Sequence, residues 1–168
     1  MANSSGLSLM DANQIARRAH AGQVDKLGVD YIHHVEAVAD GLAAFDLDLQ
    51  IAGMLHDVVE DSDITLDDLR SAGVSERTLR AIELVSRNLH PELDYLQGIE
   101  RVCESYDATL VKISDNAHNS LPARIEALGG PPHPRYAAAR SLLYTAVRRE
   151  DVELILRRAN PALMAELT

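Results

Sequence analysis

Apolar positions recur at three- and four-residue spacings along most of this chain, and no long β-branched alternation interrupts them. The pattern predicts a first helix beginning after Ser8, with Asp11 three residues on, and running to about Ala21. A loop, GQVDKLGVD, follows. A second helix covers Tyr31 to Phe45 and a third Asp48 to Glu60. Thr65-Leu66-Asp67-Asp68 reads as a capping box opening a short helix that stops near Gly73. Ser75 caps a helix reaching about Leu89, and Pro91 suits the first turn of the next, which ends near Ser105. ATLVKISDNAHNSLPARIEAL reads as one long helix kinked at Pro122. After the loop GGPPHP, a helix covers about 135–149 and a short one ends before Asn160-Pro161. Short connections suit an all-α, compact multi-helix bundle. We read 1–168 as a single domain, with the motif-bearing core at about 8–127 and C-terminal helices at 135–158.

The third helix is the unusual one. LDLQIAGML is apolar around almost its whole circumference, which predicts burial, yet it runs into LHDVVED. Ionisable groups entering a buried helix need partners, because an unpaired charge out of water is costly. His56, Asp57 and Glu60 share one arc, Asp61 sits on the same side as Asp57, and Gly53 is expected to leave space above them. On the second helix Val35, Val38, Leu42 and Phe45 form the apolar stripe, with His34 at its edge and His33 nearly opposite. Lys112, Asp115 and Asn119 share a face of the late helix, with His118 near it. Taken singly, each group has an ordinary reading: a core histidine bonded to a carbonyl, a solvated acidic helix end, an exposed Lys112–Asp115 pair worth little.

Composition narrows the function classes. The net charge of −10 argues against a nucleic-acid or anionic-membrane binder, but admits a small anionic substrate where cations gather. Lys26 and Lys112 are the only lysines, beside fourteen arginines. A lone Cys103 permits no intramolecular disulfide and suits a reducing compartment. MANSSGLSLM lacks a secretory pattern, and no apolar run approaches the roughly 20 residues of a transmembrane helix. A cytoplasmic location is expected. Apolar helix faces in the C-terminal third, where exposed, would support a homodimer. Neither a P-loop nor a Gly-x-Ser-x-Gly elbow is present.

Three separated blocks then carry a resemblance: AHAGQVDKLGVDYIHHVEAVA, AGMLHDVVEDSDIT and LVKISDNAHN. Together they resemble HD-domain phosphohydrolases, specifically the hydrolase domain of the RelA/SpoT family and its small single-domain relatives, over about Ala16 to Asn119. The resemblance implies an all-helical fold in which His34, His56, Asp57 and Asp115 hold a divalent metal ion, manganese by analogy. It implies that Glu60 and Asp61 orient and deprotonate the attacking water. Asn119 matches a nucleotide-contacting position, Tyr136 a tyrosine near the ribose, and Lys26 and Lys112 phosphate contacts. Arg17, Arg18 and Arg124 would add to the positive field or else read as ordinary surface cations, the reading preferred for them. His20 and Gln23 match the family's AHxGQ block, and His20 is expected to fix the loop to the site.

The chain departs from the family pattern at Asp25, where the family has an arginine that helps hold guanine. Val35 and Asp30 replace prolines. A synthetase domain does not fit in 168 residues, so hydrolysis alone is expected. The leading function is a metal-dependent phosphohydrolase of a nucleotide or related phosphate ester, with guanosine tetra- or pentaphosphate 3′-pyrophosphohydrolysis as its specific form. The alternatives are a nucleotidase or phosphomonoesterase on the same fold, and a non-catalytic nucleotide- or metal-binding sensor.

Overall fold

The computed structural model describes residues 6–168. Met1 to Ser5, the start of the stretch read above for a secretory pattern, lie outside the described residues. Among the latter all extended regular structure is helical, with one isolated antiparallel bridge between Val24 and Asp30 closing the first loop. The N-terminal half contains α1 (Leu9–Ala19), α2 (Ile32–Gly41), α3 (Leu47–Leu55), α4 (Val58–Asp61), α5 (Leu66–Ser71) and α6 (Glu76–Val85). The C-terminal half contains α7 (Tyr95–Val102), α8 (Tyr106–Asn119), α9 (Pro122–Ala127), α10 (Pro134–Ala146) and α11 (Arg149–Ala159). Short 3-10 segments cover Arg87–Leu89 and Pro161–Leu167.

Local chemistry starts these helices where side chains can satisfy the free N–H groups of a first turn. Ser8 with Asp11, and Thr65 with Asp68, form the expected capping boxes. Ser75 caps α6 as expected, and Asp46 caps α3 through Leu49 N. Pro91 does not open α7. Asp94 does, in a capping box with Gln97, because its carboxylate can accept from the helix and a proline ring cannot. The long helix expected across Pro122 is two helices: α8 ends at Asn119, and Pro122 is the first residue of α9, where its missing N–H costs nothing. The helix expected to reach Leu89 stops at Val85, and a 3-10 turn continues it.

Two apolar clusters form the interior, and α3 lies between them. Its Leu49 and Ala52 face one cluster with α6, α7, α8, α10 and α11. Its Ile51, Met54 and Leu55 face the other with α1, α2, α4, α5 and α6. That is why α3 is apolar all round. On α10 and α11, Leu143, Val152, Ile155 and Leu156 are fully buried in this chain's own core.

Two glycines let α2 approach its neighbours closely. A Cβ on Gly41 would lie 2.2 Å from Ser114 Oγ, and one on Gly53 would lie 3.1 Å from Ala39 Cα and 2.8 Å from Leu42 Cδ1. Gly53 therefore does not leave room above the acidic arc. Its missing side chain is replaced by the backbone of α2. No described helix is long and apolar enough to cross a membrane.

Candidate metal centre and active site

The third helix was expected to run unbroken to Glu60, but it stops at Leu55 and resumes as α4 at Val58. His56 Nδ1 lies 2.8 Å from Gly53 O, the carbonyl that the helix ladder would offer to the Asp57 amide. The ring competes for that acceptor, and the chain turns at His56-Asp57. The turn aims both side chains at α2 and α8.

Four side chains from three places in the chain meet there. His56 Nε2 lies 2.9 Å from Asp57 Oδ2 and 3.8 Å from Asp115 Oδ1. His34 Nε2 lies 3.5 Å from Asp57 Oδ2 and 3.2 Å from Asp115 Oδ1. One donor atom each from His34, His56 and Asp57 falls within 4.8 Å of the others. His33, by contrast, points out toward Glu36.

Each member has a supporting contact. Tyr31 Oη donates to Asp57 Oδ2 at 2.7 Å. Lys112 Nζ donates to Asp115 Oδ2, and Asn119 Nδ2 to Asp115 Oδ1, both at 2.7 Å. The Lys112–Asp115 pair is thus largely buried, with side chains 15% and 9% exposed, and is not the surface pair that the spacing alone suggested. His34 Nδ1 meets His118 Nδ1 at 2.8 Å. Behind the cluster, His20 Nδ1 lies 2.8 Å from Gln23 Oε1, and Gln23 Nε2 donates to Asp61 O at 2.8 Å, which ties the first loop to α4.

The electrostatics are those of donors pressed together out of water. Burial opposes charge on His34, but its bonds to Asp115 and Asp57 outweigh this and raise its pKa; burial likewise opposes charge on His56, where the Asp57 charge leads the same reversal. Burial alone would raise the two carboxylates; His56 foremost for Asp57, and Lys112 foremost for Asp115, hold them well below the usual range. Burial and the neighbouring His34 push His118 down to about 4. Burial raises Glu60, and burial with the Asp57 charge raises Asp61.

The set fits a divalent cation. His56 spends its Nδ1 hydrogen on Gly53, which leaves Nε2 as the ring nitrogen facing the cluster. Although this nitrogen is buried beside Asp57, it has no hydrogen bond of acceptable geometry among the described residues. Two imidazoles and two carboxylates are a donor set that first-row divalent ions accept.

Two cavities flank the cluster. The larger, about 480 Å³, is lined by Tyr31 and Asn119 on the cluster side and by Lys26, Arg124, Arg135 and Tyr136 around it. The smaller, about 140 Å³, has Lys112, Arg87 and Tyr95 in its wall. The structure therefore separates the two lysines that the sequence grouped as phosphate contacts. Asp25 is held by Arg124 Nη1 at 2.6 Å and accepts from Leu27 N and Val29 N, so Arg124 is not a free surface cation. Arg135 lies over the Tyr95 and Tyr136 rings and bridges the two cavities. Tyr31, His118, Arg87 and Arg135 were not singled out as site residues from the sequence. Tyr31 could have been, since it stands three residues before His34 on the same helix face.

Residues 12–87 match the HD domain family. A guanosine-3′,5′-bis(diphosphate) 3′-pyrophosphohydrolase of Vibrio cholerae is 47% identical over 64 residues, covering 37% of this chain and 9% of the relative. One of the same name from Borreliella burgdorferi is 30% identical over 123 residues, covering 67% of this chain and 18% of the relative. The chain thus spans less than a fifth of the length of these curated relatives. A solved structure described as a metazoan ortholog of SpoT that hydrolyses ppGpp superposes with a TM-score of 0.64 at 20% identity, covering 90% of this chain and 95% of the other. At that identity the likeness is one of fold.

Proposed function

The chain carries an HD domain resembling the hydrolase domain of the RelA/SpoT family, and from that premise we propose that it is a metal-dependent phosphohydrolase of a nucleotide or related phosphate ester. The observation that carries this reading is the convergence of His34, His56, Asp57 and Asp115 beside a cavity lined by Lys26, Arg124 and Arg135. These four side chains would hold the ion, with manganese the expected occupant. When bound, such an ion supplies Lewis acidity to a phosphoryl oxygen and acidifies water.

The remaining steps belong to the chain. Lys26, Arg124 and Arg135 hold the substrate's negative charge, and Asn119 and Tyr136 position its nucleoside portion. Glu60, raised by burial, is a base closer to neutrality than an exposed glutamate and takes a proton from the attacking water. Asp61 lies beside it on α4, anchored from behind by Gln23. The water oxygen bonds to phosphorus, the phosphorus–oxygen ester bond breaks, and the departing oxygen is protonated.

Removal of the 3′-pyrophosphate from guanosine tetra- or pentaphosphate is the specific form, supported by the names of the curated relatives. Asp25 weighs against the guanine-specific form and leaves a nucleotidase or phosphomonoesterase of the same fold as the second reading. Its carboxylate stands where the family's arginine is expected and is already occupied by Arg124 and two backbone amides.

Assay of the manganese-loaded protein against a nucleotide panel tests both readings. Pyrophosphate release from the tetraphosphate supports the specific form, and orthophosphate release supports the second reading. Nucleotide binding without turnover would instead leave a sensor domain. Glu60→Gln should lower kcat by about 100-fold or more, the range for a lost general base, while manganese affinity stays near wild type.

A further inference from the structure

We propose that His118 is a positioning residue that holds His34 in the one tautomer able to direct its Nε2 lone pair into the carboxylate cluster. The inference rests on reading that cluster as a metal site, and it concerns a side chain outside the proposed ligand set.

His34 Nδ1 and His118 Nδ1 are 2.8 Å apart, a hydrogen-bond distance that leaves room for one hydrogen between them. One ring must donate and the other accept. A neutral imidazole has one N–H, and the nitrogen without it bears the lone pair. His34 Nε2 is the atom that faces Asp57 Oδ2 and Asp115 Oδ1. If it is to serve as a ligand, the His34 hydrogen sits on Nδ1 and is donated to His118. His118 then accepts at Nδ1 and carries its own hydrogen at Nε2.

His56 shows the same arrangement made by a different device. Its Nδ1 is 2.8 Å from Gly53 O, and a carbonyl can only accept. Both rings are thereby turned with Nε2 inward, one by backbone and one by a third histidine. A hydrogen-bond partner on the far nitrogen sets both the tautomer and the ring orientation of a ligating histidine.

The backbone brings His118 to this position. It stands three residues after Asp115 on α8, so one helix face supplies both an acid and the acceptor behind His34. Helix α8 is locked to α2 by Ser114 Oγ, which donates to Val38 O at 2.8 Å, and by the absence of a side chain at Gly41. His118 is no substitute ligand, since its Nδ1 is committed to His34. The two rings, 4.9 Å between centroids and inclined at 44°, are not stacked face to face, which leaves the nitrogen–nitrogen contact as the specific interaction.

The test uses manganese affinity by calorimetry and ring-nitrogen NMR on the full chain. His118→Leu fills the space without accepting and should weaken manganese binding by 10- to 100-fold, the usual cost of losing such a partner. His118→Asn restores an acceptor and should recover most of that loss, at unchanged circular dichroism. In the unsubstituted zinc-loaded protein, the His34 Nδ1 resonance should be that of a protonated nitrogen. Wild-type affinity in the leucine variant, equal losses in both variants, or the shared hydrogen residing on His118 Nδ1 would each overturn the proposal. The NMR result decides the matter should the leucine variant not fold. Wild-type protein that binds neither manganese nor zinc would overturn the metal reading itself, an outcome distinguishable from failure of His118 alone.

Discussion

Gly41 and Ser114 meet where α2 crosses α8, so closely that a methyl group on the glycine would lie 2.2 Å from the serine hydroxyl. That hydroxyl donates to Val38 O, one turn back on α2. The crossing fixes the distance between His34, which α2 carries, and Asp115, the residue after Ser114. Gly41→Ala must displace the hydroxyl from its acceptor or push the helices apart. We expect it to cost about 1–3 kcal/mol by overpacking and to weaken manganese binding as well. Thermal melts and calorimetry on the same sample check this; unchanged values for both would show that the crossing does not set the site.

Asp115 and Lys112 differ in what each leaves behind when removed. Asp115→Ala strands the largely buried Lys112 ammonium, whose one hydrogen-bond partner among the described residues is Asp115. Lys112→Met leaves Asp115 with Asn119 and the two imidazoles. In metal-free protein, Asp115→Ala should therefore be the more destabilising, by about 3 kcal/mol against wild type, the cost of breaking a buried pair from one side. Urea melts of the two variants in chelator decide the order.

Asp46 ties stability to acid pH. Its carboxylate is bonded to Arg77 and to Leu49 N, and the arginine foremost lowers its pKa. A carboxylate lowered on folding stabilises the protein above its unfolded pKa, and that contribution is lost as pH falls through the folded value. Asp46→Ala should cost about 1 kcal/mol at pH 7 as a lost cap. The gap between variant and wild type should narrow as pH drops below about 4, the unfolded aspartate value. Melting temperatures of both proteins across that range test the sign. A gap that widened on acidification would contradict it.

Arg124 lies in the wall of the larger cavity, and Asp25 holds one of its terminal nitrogens. Arg124→Ala should raise KM for an anionic nucleotide by about tenfold, equal to about 1.4 kcal/mol and within the range for one hydrogen bond to a charged group. Because the cavity wall that includes Arg124 does not include Glu60 or Asp61, the proposed base and its neighbour, kcat should change little. Steady-state kinetics separate the two; a loss confined to kcat would remove Arg124 from substrate binding.

Much of this was legible in the chain itself. The helical periodicity, the caps at Ser8, Thr65 and Ser75, and the all-round apolarity of α3 follow from local rules, which depend on residues three or four positions apart. The inward placement of His34 rather than His33 follows from the same projection, and the HD domain was readable from three motif blocks. Local rules stop where distant segments compete for one atom. The His56 ring takes the carbonyl that continuing α3 would need, so the helix breaks at that point. Likewise, the Lys112–Asp115 spacing is the same on a surface or in a core, and only the packing of α8 buried it. Asp25 read as a charge reversal in the chain, and the fold supplied Arg124 from 99 residues away to balance it. Periodicity thus decided which face each residue occupies, while the crossings of α2 with α3 and α8 decided what each face meets, because those contacts join residues whose separation along the chain carries no local signal.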